Sequence, residues 1–432
     1  KGAAGIAGAS AALSATGIYG LLDALAQRPA VAAAADDALP PEQHRILELR
    51  TTREQGKTIL IPPLHHQVVT ATLLLPRDRA ALQGAQRRLE QTLAALEQQY
   101  RPTPGGLAIT VAWGGPYFER YVSGPAATTL PLDTRAAADA GRPVPALLDA
   151  IRFPSDPASV VLEQNDLAVR LAADALDSIA AGADAIFTQN PDLFRVTSVR
   201  KGFVGGGYDG GRGLPKQMAL AARIPGAEAI PETAQLFLGF TSTQDAALGP
   251  ALIANFESLG YTDQTPDSYF AHGTTMHLSH IYEDLQRWYA DDLRQRTGQA
   301  LGHSGTMLSA NRLRESVTDP YGNSYRPGTA ILQRADFDTL DNPFLFSADP
   351  QTDGQAGGYA AGLHFVAFAP TSDTFHRVRL GMDGQHGQRA VPGPFAVLGA
   401  EKGLNAVLRT THRQNFLVPP RAHRSFPLAE LL

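Results

Sequence analysis

The sequence predicts an α+β protein made of two β-α-β-β-α-β modules, each an antiparallel sheet covered by helices. Three observations predict it. Short runs rich in β-branched residues alternate with stretches whose apolar residues recur at helical spacing, and this alternation occurs twice along the 432 residues. Apolar residues make up 44% of the chain against 18% charged, enough for an ordinary globular core. The 41 glycines and 31 prolines predict many loops between the elements.

The elements follow in order. Residues 67–75 (QVVTATLLL) read as a buried strand, and 79–100 as a helix whose core face carries Leu82, Leu89, Leu93 and Leu96. A second strand, 108–113 (AITVAW), stops at Gly114, Gly115 and Pro116, and 122–157 is loop-rich. The same grammar then returns: a strand at 167–172, a helix at 175–187, a strand at 194–204, and later a strand at 274–280 with a helix at 282–296. A last strand, 362–369, precedes a helix through 375–380 and a proline-rich tail expected to wrap the surface. The expected division is an N-terminal module over 64–160, a C-terminal module over 161–400 and a tail over 401–432.

Ahead of the core, residues 2–22 are small, uncharged and mildly apolar, with Lys1 before them and small-x-small cleavage sites after Arg28. Residues 1–35 therefore read as a truncated secretory signal suited to the twin-arginine route, Lys1 being the last residue of its arginine motif. The alternative is a helix belonging to the mature fold. Residues 36–63 read as a linker or arm, and no stable membrane span is expected in the mature chain.

Charge and composition exclude several functions. A formal net charge of −5 offers no basic footprint for phosphate, so the partners expected are small molecules, not nucleic acid, with a homo-oligomer left open. Without cysteine there is no disulfide, thiolate metal site or cysteine nucleophile, so histidine, carboxylate or a cofactor must carry any chemistry. The run Gly205–Gly213 contains a G-x-G-x-x-G spacing after a strand, but Gly211, Gly213 and Pro215 delay the helix that pyrophosphate binding requires. It reads better as a loop over a pocket. His65 and His66 precede a strand and diverge, as a solvated pair would.

The richest stretch is 273–303, which holds His277, His280 and His303. In the strand TTMHLSHI, His277 and Ser279 share one face and His280 takes the other; were the segment helical, His277 and His280 would converge as a metal pair beside a carboxylate. His303 lies between glycines that let backbone approach a large planar ligand. No G-x-S-x-G elbow for a serine hydrolase occurs.

The order of these segments resembles the dye-decolourising (DyP-type) peroxidase superfamily. HHQVVTATLLLPRDRAALQGAQRRLEQTLAAL is similar to its first strand and helix, and LAITVAWGGPYFERY to its "TVGFGPSLF" region. DLAVRLAADALDSIAAGADAIF resembles "DLLLQICADD", LFLGFTST sits at "GFKDGT", and GTTMHLSHIYEDLQRW sits at "GGSYLVVRRIRxxxxxW". RPGTAILQRADFDTLDNPF and GLHFVAFAP resemble the "ILRRGYSY" and "GLLFIAFQ" pair, so the likeness covers about residues 64–400. It implies two ferredoxin-like halves of the dimeric α+β barrel kind, haem b in the C-terminal half, and a peroxide-dependent, exported oxidoreductase. It implies His303 as the axial iron ligand, with Arg200, Lys201, Arg212 or Arg223 available to the propionates. The family's distal aspartate maps to Ser242 and its arginine to Ser279, which leaves His277 and Asp245 as substitutes. That departure implies the alternative, a haem- or ligand-binding protein without peroxide turnover.

Overall fold

A computed structural model describes residues 17–26, 38–54, 57–206, 211–239, 253–292, 313, 315–319, 322–341, 358–383, 385–386, 389–390 and 403–432. The first module comprises β1 (His65–Leu73), α1 (Arg79–Gln99), β2 (Ala108–Gly114), β3 (Leu167–Ala173), α2 (Leu176–Ala183) and β4 (Phe194–Phe203). The second comprises β5 (Thr274–Glu283), α3 (Leu285–Ala290), β6 (Phe337–Thr339), β7 (Gly362–Ala369), α4 (Ser372–Met382) and β8 (Leu408–Val418). All pairings within each module are antiparallel, in the orders β4-β1-β3-β2 and β8-β5-β7-β6. Counted within its module, each order is 4-1-3-2, the ferredoxin-like topology, so the predicted fold class is the one observed.

The two sheets join at both edges. Phe416 and Leu417 of β8 pair with Gly114 and Trp113 of β2, and Asp338 of β6 pairs with Phe203 of β4. The eight strands therefore close into a barrel with no open edge among them. Strand alternation sends one set of side chains inward, where Val68, Ala112, Ala168, Met276, Leu278, Phe337, Val366, Phe368 and Phe416 form one cluster. The outward set of the first module, including Val69, Val111, Val169 and Leu171, packs under Leu82, Leu89, Leu93 and Leu96 of α1. Helix α1 is held at its start by Asp78, which accepts from the amide of Ala81 at 2.9 Å.

Glycine makes the two seams possible. A Cβ on Gly202 would lie 2.1 Å from the Asp338 carbonyl oxygen, and one on Gly114 would lie 2.7 Å from Nε2 of Gln414 in β8 as well as 2.2 Å from the carbonyl oxygen of Asn165, ahead of β3. N-terminal residues then fasten both seams. Gln43 accepts from the amide of Val111 at 2.7 Å and donates to the carbonyls of Val111 and Pro419. Tyr19 donates to the Lys201 carbonyl at 3.3 Å and accepts from the amide of Leu340 at 3.0 Å.

Several expectations are corrected here. Strands β3 and β4 belong with β1 and β2, so the sheet divides after Phe203 instead of between 160 and 161. Pairs such as Val68 with Arg170 span a hundred residues, and strand-helix rhythm cannot show them. The tail contains β8, the strand of the second sheet that pairs with β5 and meets β2 at the seam. Within 122–157 lie the short helices Ser123–Thr129 and Thr134–Ala140. Ahead of β1 the helix Gly20–Ala26 forms with Tyr19 and Leu22 buried, and the segment expected to be a linker or arm buries Gln43 and His44. Among the described residues no helix is long and apolar enough to cross a membrane.

Candidate functional site

The outer face of the second sheet, under α4, brings together polar side chains from the adjacent strands β5 and β8. His277 of β5 lies opposite Asn415 of β8, and Ser279 opposite Arg413. Asn415 donates from Nδ2 to the Leu148 carbonyl at 2.8 Å, which turns its Oδ1 toward His277. Oδ1 is 2.6 Å from His277 Nδ1, so Nδ1 carries the proton and Nε2 keeps its lone pair. Nε2 in turn is hydrogen-bonded to the Ser279 hydroxyl. The result is a Ser279–His277–Asn415 chain in which an amide fixes the tautomer of a base that holds a hydroxyl. Burial, with Arg413 adding to it, holds the His277 pKa well below its ordinary value, so the ring is neutral.

The surroundings set access and charge. Phe375 of α4 lies flat on His277, ring centroids 3.4 Å apart, and closes that side of the imidazole. His376 accepts from Asn415 Nδ2 at 3.3 Å, and burial lowers its pKa to about 4. Arg413 forms two bonds to Asp156 and one to the Ile151 carbonyl at 2.9 Å. Arg379 pairs with Asp383 at 2.6 Å, and both guanidinium groups flank the ring of Phe153. Further along the same face, Glu283, Asp336 and Asp338 are all buried. Burial, then mutual repulsion, raises the pKa values of Glu283 and Asp338, and Asp338 accepts from the amide of Phe237 at 3.0 Å.

The other predicted residues are dispersed. Ser242, Asp245 and His303 lie outside the described residues. His280 points inward as alternation requires, its ring 5.0 Å from that of His364, so it does not converge with His277. Arg200 also lies inside the barrel, ion-paired with Glu163 and hydrogen-bonded from Nε to Ser198 at 3.0 Å; it faces away from His277. Arg212 and Arg223 are exposed, Arg223 with φ of 57° just past the helix Leu214–Ala221, and Lys201 is half-buried. That helix starts directly after the glycine-rich run, whose residues 207–210 are outside the description. His65 and His66 are buried, correcting the expected solvated pair: His65 Nε2 meets Asp23 at 2.7 Å, and His66 stacks on Phe337 inside the barrel.

Arg413, Asn415 and His376 escaped the sequence reading because their segments looked like tail and helix filler. The alternation in LRTTHRQNFLV was the available signal: it puts Arg413 and Asn415 on one face of a strand and His412 and Gln414 on the other.

The described donor set offers a neutral base with a fixed tautomer, a hydroxyl in front of it, and a guanidinium across the strand.

Comparison with known proteins places this arrangement on a recognisable fold. The profile of a family of unknown function (DUF7405) matches residues 63–336. A candidate DyP-type peroxidase from Shewanella oneidensis superposes with a TM-score of 0.50 at 14% identity, covering 84% of this chain and 94% of that one. The encapsulated DyP-type peroxidase from Mycobacterium smegmatis gives 0.49 at 13% identity, over 84% and 95% of the two chains. A DypB variant from Rhodococcus jostii RHA1, solved in complex with heme, gives 0.48 at 14%, over 85% and 96%. No curated protein sequence matches the chain.

Proposed function

The chain belongs to a family of unknown function (DUF7405) and has the fold of DyP-type peroxidases, and on that basis we propose that it is a haem-dependent, peroxidase-like oxidoreductase using hydrogen peroxide on a small-molecule substrate. The observation that carries the reading is the Ser279–His277–Asn415 chain, which supplies a proton acceptor beside Ser279, the serine that the resemblance puts at the DyP-type distal arginine.

Haem iron, when bound, would supply the electrons that peroxide takes up; His303 would hold it, with Arg212 or Arg223 available to the propionates. His277 Nε2, relayed by the Ser279 hydroxyl, accepts a proton from one peroxide oxygen and returns it to the other, so that the latter leaves as water. Asn415 keeps Nδ1 protonated throughout, so the same nitrogen gives and takes the proton. Arg413, opposite Ser279, contributes positive charge, diminished by its pairing with Asp156. Phe375 keeps water off the imidazole face. Export by the twin-arginine route is part of the same proposal and rests on residues 2–22.

Reconstitution with haem tests it. A Soret band lost in His303→Ala, together with peroxide-dependent dye oxidation that falls roughly a hundredfold in His277→Gln while the band persists, is the expected result. The absence of any Soret band at full reconstitution would sink the haem reading. A second reading, a haem or ligand carrier without turnover, is favoured by the closure of His277 under Phe375. A normal Soret band with no dye oxidation between about pH 3 and 7 would establish it.

A further inference from the structure

Inside the barrel, on the opposite face of the sheets from His277, one positive charge has no counter-charge among the described residues. Arg170 of β3 is 2% exposed, and its one hydrogen bond among the described residues runs from Nη2 to His66 Nδ1 at 3.3 Å. Its Nε has no partner, and no carboxylate among the described residues pairs with it. Arg200 provides the contrast. It flanks the same Val68 from the other side and points into the same interior, yet it is paired with Glu163. His66 cannot neutralise Arg170: its Nε2 is bound to the Pro63 carbonyl at 2.9 Å, which leaves a neutral ring accepting at Nδ1.

A second unpartnered group lies beside it. His44 is 2% exposed, stacks on Phe368 at 5.0 Å, and has no partner at either ring nitrogen. The guanidinium carbon of Arg170 lies 6.0 Å from the centroid of that same Phe368 ring. Burying a guanidinium without an anion is costly, and burying both nitrogens of an imidazole unbonded adds to the cost. A ligand that supplies the missing acceptors would offset both.

We propose that the barrel interior beside Phe368 binds one small carboxylate monoanion, held by the free Nε edge of Arg170 and by an N–H of His44. The planar fork of arginine matches the two oxygens of a carboxylate. One charge matches one charge, whereas a doubly charged phosphate would leave a buried negative charge unmatched. Although burial lowers the Arg170 pKa to about 10, the side chain stays charged at neutral pH and needs the anion there. The site is independent of haem.

Titration of the full chain with sodium acetate and with sodium formate at pH 7 and constant ionic strength, by calorimetry and thermal melting, is the test. One saturable site per chain and a rising melting temperature are expected, both lost in Arg170→Met. His44→Phe, which keeps the ring stacked on Phe368, should bind about tenfold more weakly. No saturable effect from either anion overturns the proposal, as does an unchanged effect in Arg170→Met. Should Arg170→Met fail to fold, undiminished affinity in His44→Phe overturns it. Tighter binding of inorganic phosphate than of acetate overturns the carboxylate assignment.

Discussion

At the scale of single residues, burial gives the imidazoles and the carboxylates of the second module opposite responses to pH. The His376 pKa falls to about 4 from an unfolded value near 6.5, so the folded protein prefers the neutral ring. Its stabilising contribution is complete above about pH 6.5 and is lost as pH falls toward about 4, an effect on the order of 3 kcal/mol. Glu283 runs the other way: its raised pKa means that its contribution is complete below the unfolded value near 4.3 and is lost as pH rises through the folded value. Urea unfolding at pH 5, 7 and 8 separates the two. His376→Phe should lose less stability than wild type between pH 7 and 5, whereas Glu283→Gln should be more stable than wild type at pH 8 and nearly equal to it at pH 5. Unchanged slopes in either variant would refute the corresponding assignment. Strand alternation made the opposed faces of His277 and His280 legible in the sequence. Neither their neighbours Asn415 and His364 nor the missing partner of Arg170 could be read there, because those depend on which distant strand lies alongside.

At the scale of elements, the joins between modules are the places least visible in sequence and most demanding in structure. The strand-helix alternation announces β1, α1, β2 and β5 through local periodicity, but β8 went unread because it follows a long irregular stretch and its partners are β5 and β2. Gly202 looks like an ordinary glycine at the end of a strand. In the fold it is the point where β4 meets β6, and a Cβ there would strike both the Asp338 carbonyl and the ring of Phe337, 2.4 Å away. Neither obstacle can yield cheaply, since one is backbone and the other is wedged in the barrel core. Gly202→Ala should therefore cost about 3 kcal/mol or more, read as a lower melting temperature. Gly84→Ala, on the solvent side of α1 with nothing within 4 Å, is the control and should be neutral or slightly stabilising. A Gly202→Ala protein as stable as wild type would show that the seam is not closed as described.

At the scale of the whole molecule, the two ferredoxin-like halves were legible because their order of elements repeats, while the dependence of the barrel on residues ahead of it was not. Small uncharged residues and a basic start make 1–35 read as a secretory signal, since composition is all that such a stretch reveals. Tyr19, however, touches both sides of the β4–β6 seam, and its hydroxyl is the acceptor for the buried amide of Leu340. Leu22 packs in the cluster with Phe203, Met218, Phe237 and Leu340, and Asp23 meets His65. A chain beginning at Asp36 keeps Gln43 at the β2–β8 seam and loses every one of these contacts at the other. It should melt at a lower temperature than the chain beginning at Lys1, with hydrogen exchange accelerated most in β4 and β6 and least in β2 and β8. Tyr19→Phe should reproduce part of the loss, about 1–3 kcal/mol, because it strands one buried amide while leaving the packing intact. Equal melting temperatures for the two chains would mean that the N-terminal helix contributes nothing to closure, and the barrel would then rest on its strand pairs and on Gln43 alone.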